Sequence, residues 1–468
     1  MSSHPLHLAP LDGARPPFGA AFDAEFDLGL SLPAHGYEET EHLLTGSAGT
    51  WRLGEPGAPI RVDTGIRYRT RILVRRPIDR GRSSGVTHVE PLHPHRDAGL
   101  SWDALAPHLL RRGDAWVGVT VYPHVAGLMR ERLDPDRYAA LAVPGGGTEW
   151  DIVSDVLELV RSDAIGDLRT TRIVLSGWSA TGSFCRVFAR ERFATARGGL
   201  ADAAAIFISS GGAGAAGYPS LTQDERPVDP DDPRRTIRDA GIPVFEILSE
   251  TESETHRAQL REDSDEPGDT YRLYQIAGAA HIESWSGARS TQARTLAAAG
   301  FDGGGIRVRE QRSDARSDLI ARALMDHLID AVDDPATAPR APRFEYSDSP
   351  KRPAETLRRD DDDNVIGGIG APWVQVPLAT YAPHGTPTDE AEDGHGWTPL
   401  ADRTLAAGLV GTMASLSRDE VLRRYRDEDS YRGRFEQATR DLVECGLLLA
   451  EDAGELNATA PARWRAVV

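Results

Sequence analysis

The chain has 468 residues, 40% of them hydrophobic, and a formal net charge of -19; that is enough apolar material for a large core and enough length for two or three domains. The negative balance repels nucleic-acid phosphates and anionic lipid, so neither nucleic acid nor a membrane is an expected partner, and no run of 18 apolar residues offers a span. Cys185 and Cys445 are the only cysteines, too few for a disulfide framework, and the first ten residues lack the basic start and sustained apolar run of a secretory signal, so a reduced, cytoplasmic setting is expected.

In chain order, residues 1–60 are rich in Gly and Pro and read as an extended N-terminal arm on the core. Strands are expected at 67–75, 85–91 and 115–121, and a helix at 151–161. The apolar strand of 171–176 runs into Gly177, Ser179 and Gly182 and then into helix-compatible sequence. Another strand is expected at 203–209. The Gly, Pro, Asp and Arg-rich stretch 211–242 suits a cap or substrate-binding excursion. Segments 242–252 and 270–281 read as strands, the first ending in acidic residues and the second at His281. Residues 317–332 have the spacing of an amphipathic helix. Asp360 to Asp363 read as a solvated acidic loop, and 418–449 as helix folding back on the core.

The chemistry centres on ThrArgIleValLeuSerGlyTrpSerAlaThrGly at 171–182. A nucleophilic serine at a strand-to-helix elbow needs small neighbours that let the backbone turn sharply and leave the hydroxyl exposed. Ser179 is the candidate nucleophile. The plainer alternative is that Ser179 and Thr181 only cap the next helix. The order of the later segments favours chemistry, because a serine hydroxyl is weak until an imidazole takes its proton, and the imidazole needs a carboxylate to fix its tautomer. His281 supplies the imidazole. In an open parallel sheet the C-terminal strand ends lie side by side, so serine, acid and histidine can converge. Glu246, Glu250, Glu252 and Glu254 are the acids on offer in the first of the two late strands. Glu246 sits within the apolar run, where a carboxylate without a partner is costly.

With these motifs the chain resembles a large bacterial family described as alpha/beta hydrolase domain-containing proteins. The likeness runs through 67–77, 109–119, the elbow, SerGluThrGlu at 249–252, GlyAlaAlaHis at 278–281, 367–381 and 410–458. It implies an α/β-hydrolase fold: a mostly parallel central sheet flanked by helices, with a cap insertion and a C-terminal extension. It also implies one catalytic domain, with an arm at 1–60, a core at about 61–335, a cap at 211–242 and an extension at 336–468 packed on the core. In such folds the acid stands three residues after a small residue at the strand end, so Ser249 points to Glu252, with Glu250 next and Glu283 among the remaining acids. The oxyanion hole would use the N–H of Ala180, which opens the helix after the nucleophile. Its second donor would come from the loop at 89–100, where HisProHisArgAsp replaces the small residues of relatives; Pro94 has no N–H, which leaves His93 or His95, donating from backbone or imidazole.

Trp178 and Thr181, beside the nucleophile, are expected to border the substrate. His93, His95 and Asp97 can be drawn as metal ligands, but three residues on one loop without a partner motif read better as a polar pocket rim. No cofactor or metal is expected. The implied activity is hydrolysis of a small-molecule ester through an acyl-enzyme. Lactones, thioesters and acyl transfer use the same groups, a catalytically silent binding protein is the alternative of a different class, and a homo-oligomer remains open.

Overall fold

The computed structural model describes residues 5–13, 17, 31–94, 97–209, 235–256, 260–285, 306–347, 356–388 and 403–468. Among them, β1 (His7–Pro10), β2 (Tyr37–Glu55), β3 (Ala58–Pro77), β4 (Val86–Pro91), β5 (Ala115–Val119), β6 (Arg172–Trp178), β7 (Ala203–Phe207), β8 (Val244–Leu248) and β9 (Tyr271–Gln275) form one sheet. Its order is β1-β2-β3-β5-β4-β6-β7-β8-β9. The β1 to β3 edge is antiparallel, as is the pairing of β3 with β5, while β5, β4, β6, β7, β8 and β9 run parallel. The chain visits β5 on one side of β4 and β6 on the other. That reversal makes a crevice at the C-terminal ends of β4 and β6, the place where open α/β sheets bind ligands.

Alternation along the buried strands explains the two-sided core. Val174, Ala205, Phe207, Phe245 and Ile247 face one apolar cluster, and Ile173, Leu175, Ala204, Ile206, Val244 and Leu248 face the other. Helices close both faces, because strands apolar on both sides cannot be left against water. On the first face lie α1 (Leu100–Arg112) and, late in the chain, the helix Ser317–Asp330, through Leu105, Leu109, Leu319 and Leu324. On the second lie α2 (Glu149–Arg161) and α3 (Ala180–Arg190), through Val153, Val156, Phe184 and Phe188.

Three expectations need correction. Residues 37–55 are not an extended arm but a sheet strand, β2, paired with β3 from Tyr37↔Pro77 down to Glu55↔Ala58. The small and polar residues of this stretch hide its alternation, which shows in the burial of Leu44 and Ala48 beside Tyr68 and Ile72. The acidic segment stops being strand at Leu248, and Glu250–His256 is a helix, α4. Likewise β9 ends at Gln275, so residues 276–281 are a loop that carries His281.

The helix Ser317–Asp330 is α5. Strand β10 (Gln311–Arg312) joins β11 (Ala379–Ala382) and β12 (Thr412–Ser415) in a small second sheet of order β10-β12-β11. Helices α6 (Arg418–Tyr425) and α7 (Glu428–Glu444) bring Tyr425, Tyr431 and Phe435 into the same apolar cluster as α5. Of the stretch read as a cap, only 235–242 lies within the described residues. No helix among them is long and apolar enough to cross a membrane.

Candidate active site

Ser179 stands between β6 and α3 with φ 59° and ψ -123°, a backbone position that side-chain-bearing residues rarely occupy. Two glycines make the turn possible. A Cβ on Gly177 would come 2.3 Å from the Thr181 carbonyl oxygen, and one on Gly182 would come 2.8 Å from that of Phe207. The second close approach is therefore one residue later than in the commoner Gly-x-Ser-x-Gly spacing, and Thr181 fills the place between. Its hydroxyl accepts from the Trp178 N–H at 2.9 Å and donates to the Trp178 carbonyl at 3.0 Å. Thr181, expected to border the substrate, is fully buried, and its hydroxyl, occupied this way, braces the elbow. Trp178 is buried as well, stacked on Phe207 at 5.3 Å and met edge-on by Trp285 at 5.7 Å.

The Ser179 Oγ lies 2.7 Å from His281 Nε2, and His281 Nδ1 lies 2.5 Å from Glu252 Oε1. Burial works to raise the Glu252 pKa, but the charge and hydrogen bond of His281, with the Ser249 hydroxyl on Oε2, outweigh it and hold the carboxyl below its ordinary value. An ionised carboxylate can only accept. In the neutral imidazole Nδ1 therefore carries the hydrogen, and Nε2 is left with the lone pair that faces the serine hydroxyl. This arrangement can draw the proton from Ser179 as the oxygen attacks an electrophile, then return it to a leaving group.

Glu250 is placed otherwise. Two residues along a helix turn the side chain by about 200°, so Glu250 and Glu252 point to opposite sides of α4. Glu250 accepts from the Gly278 N–H at 2.7 Å and from Arg359 Nη2 at 2.8 Å. Burial raises its pKa, against the opposing pull of Arg359. Glu254, one helical turn on, meets His384 Nε2 at 2.7 Å. Glu246 has the partner its burial requires in Arg186 Nε at 2.7 Å, with the Tyr271 hydroxyl at 2.5 Å. Glu283 accepts from the Ser317 hydroxyl at 2.7 Å, and burial pushes its pKa up to about 8. Of the acids weighed, Glu252 alone meets His281.

The Ala180 N–H, first of α3, has no acceptor among the described residues and opens the helix beside Ser179. On the neighbouring β4 end, the His93 N–H is spent on the Ala98 carbonyl at 3.0 Å, which removes it as a backbone oxyanion donor. His95 lies outside the described residues. Asp97 is engaged with β3 and the β5 end: its buried carboxylate takes Arg71 Nη1 at 2.9 Å and the Thr120 hydroxyl at 2.8 Å, which anchors the loop. Among the described residues no group of three His, Cys, Asp or Glu side chains is arranged to hold a metal ion.

Sequence reasoning passed over Ser249 as a contact, Thr251 and Arg359. Thr251 accepts from the His281 N–H at 3.1 Å and donates to the Pro383 carbonyl at 3.1 Å. A signal for the first was present: Ser249 and Glu252 have the Ser-x-x-Glu spacing of a helix capping box, which would have identified a helix start where a strand end was read. Nothing local marks Arg359, which lies 109 residues from its partner.

The Alpha/beta hydrolase domain family matches residues 6–458, nearly the whole chain, and the chain belongs to it. No curated protein matches the chain. Among solved structures it is similar to the rice cell wall degrading esterase LipA from Xanthomonas oryzae, at 12% identity over 64% of this chain and 95% of that one, TM-score 0.34. It is also similar to esterase Est22, at 14% identity over 57% and 80% of the two chains, TM-score 0.33. A third is an alpha-beta serine hydrolase homologue from Coxiella burnetii, at 14% identity over 50% and 89%, TM-score 0.29.

Proposed function

We propose that this alpha/beta hydrolase is a serine esterase that cleaves a small-molecule carboxylic ester through an acyl-enzyme. The observation that carries the reading is the relay from Ser179 Oγ through His281 to Glu252, at 2.7 and 2.5 Å. In this mechanism Ser179 attacks the ester carbonyl while His281 Nε2 takes its proton, and Glu252 stabilises the imidazolium that forms. The Ala180 N–H receives the developing oxyanion, helped by the partial positive charge at the start of α3. His281 then protonates the departing alcohol. A water, deprotonated by the same nitrogen, releases the acid and restores the serine. Neither nucleic acid nor membrane is part of the proposal, given the charge of -19. The free thiols of Cys185 and Cys445 suit a cytoplasmic setting.

A fluorophosphonate probe tests the reading. The expected result is covalent labelling of Ser179, with hydrolysis of short p-nitrophenyl esters, and loss of both in Ser179→Ala. Unlabelled wild-type protein without esterase activity would leave the silent binding protein in its place, and label on a different serine would move the site.

A further inference from the structure

The loop that carries His281 is bounded on both sides by the C-terminal third of the chain. Before it, the Ile369 N–H reaches the Gln275 carbonyl at 2.7 Å, and the Ala277 N–H reaches the Ile369 carbonyl at 3.1 Å. After it, the Ile282 N–H meets the Leu409 carbonyl at 2.8 Å, and the Gly411 N–H meets the Ile282 carbonyl at 2.9 Å. Between these bridges Trp373 Nε1 donates to the Ala277 carbonyl at 3.0 Å. Gly278 has φ 74°, and a Cβ there would lie 2.7 Å from Trp373 Nε1 and from Val374 Cγ2, so the loop has no room to shift toward that side.

One buried carboxylate ties this loop to the acid helix. Glu250 is 1% exposed; one oxygen holds the Gly278 N–H and the other the Arg359 guanidinium, whose Nη1 also donates to the Asp363 carbonyl at 3.0 Å and the Tyr381 carbonyl at 3.3 Å. Arg359 thus fixes Glu250, Glu250 fixes the start of α4 and the His281 loop together, and Glu252 and His281 hang from those two pieces. On this basis, and resting on the esterase reading, we infer that Arg359 is a positioning residue that sets the Glu252–His281 alignment through Glu250. Its second part is electrostatic. A guanidinium beside Glu250 compensates a carboxylate buried away from water, whose lone charge would otherwise strain the contact that ties α4 to the His281 loop.

The test compares Arg359→Ala, Arg359→Lys, Glu250→Gln and the double variant Arg359→Ala/Glu250→Gln in the full-length protein, with kcat and KM for a p-nitrophenyl ester, the fluorophosphonate labelling rate and Tm. A displacement of about 1 Å in reacting groups lowers rates on the order of a hundredfold. Arg359→Ala is expected to lower kcat and the labelling rate per folded molecule by about tenfold to a hundredfold with KM little changed. Arg359→Lys recovers part of the loss. The double variant is faster than Arg359→Ala alone, because a glutamine oxygen still takes the Gly278 N–H without leaving a lone buried charge. An anchor that only stabilises the fold would lower Tm and leave kcat per labelled site unchanged, and that result overturns the inference. Should Arg359→Ala not fold, unchanged kcat in both Arg359→Lys and Glu250→Gln overturns it as well. Wild-type protein that fails to react with the probe overturns the esterase reading itself, a separate outcome.

Discussion

Replacing Glu252 by glutamine removes a charge and keeps the shape, so it isolates what the carboxylate does for His281. The side chain is 5% exposed and its Oε1 is 2.5 Å from Nδ1. With charge centres about 4 Å apart and an effective dielectric near ~20, the attraction between carboxylate and imidazolium is about 4 kcal/mol. That is roughly a thousandfold in rate if it is lost from the transition state. A second loss comes from the tautomer. With the amide oxygen kept on the Ser249 hydroxyl, the NH2 faces Nδ1 and favours the imidazole that carries its hydrogen on Nε2, where it cannot accept from Ser179. Together these bring the expected loss in kcat to about 10⁴, the scale seen when the acid of a serine triad is neutralised. Steady-state hydrolysis of a p-nitrophenyl ester measures it. Glu250→Gln, on the opposite side of α4, is expected to cost far less. A Glu252→Gln enzyme within about tenfold of wild type, or the reverse ranking of the two variants, would refute this assignment of the orienting acid.

Ser179→Ala should abolish ester hydrolysis with Tm within a few degrees of wild type, since the lost hydroxyl leaves no cavity in the core; thermal unfolding and a rate assay suffice. Gly182→Ala should lower Tm clearly, because the new methyl meets the Phe207 carbonyl at 2.8 Å and Ser209 Cβ at 2.9 Å, and relief requires α3 to move off β7; an unchanged Tm would show that the contact yields cheaply. Glu283 titrates near its ordinary 4.5 in the unfolded chain and at about 8 when folded, so the native state holds the proton and stability from this group falls as pH rises between those values. Denaturant unfolding of wild type and Glu283→Gln at about pH 5 and about pH 9 should therefore show the variant gaining relative stability at the higher pH; a difference independent of pH would mean that Glu283 is ionised in the fold.

The sheet was legible because its strands are buried on both faces and read as short apolar runs: 85–91, 115–121, 171–176 and 203–209 all coincide with β4 to β7. Helices α2 and α5 were legible by their spacing. The elbow and His281 were readable from local motifs, and the structure brings them together. β2 was hidden because a strand among Gly, Ser and Thr does not display alternation, and only its pairing with β3 makes it one. That the Thr181 hydroxyl and the His93 N–H are already engaged was unreadable for a related reason. Residue type says that a hydroxyl or an N–H is available, whereas the fold decides whether the backbone has already used it.

The choice between Glu250 and Glu252 shows how one local error propagates. Read as a strand, residues two apart share a face, and both carboxylates compete for the same histidine. As the helix α4, the same pair diverges, and Glu250 falls on the side of Glu254. The consequence reaches past geometry, because three acids within five residues would repel one another if they faced one pocket. Instead Glu252 is matched by His281, Glu250 by Arg359 and Glu254 by His384, whose pKa stays raised because the Glu254 contact outweighs the effect of burial. Two of those partners come from beyond residue 355. The C-terminal third is thus tied electrostatically to the acid helix: the helical turn leaves only Glu252 toward the candidate histidine, and the distant arginine and histidine compensate the charge of the other two carboxylates.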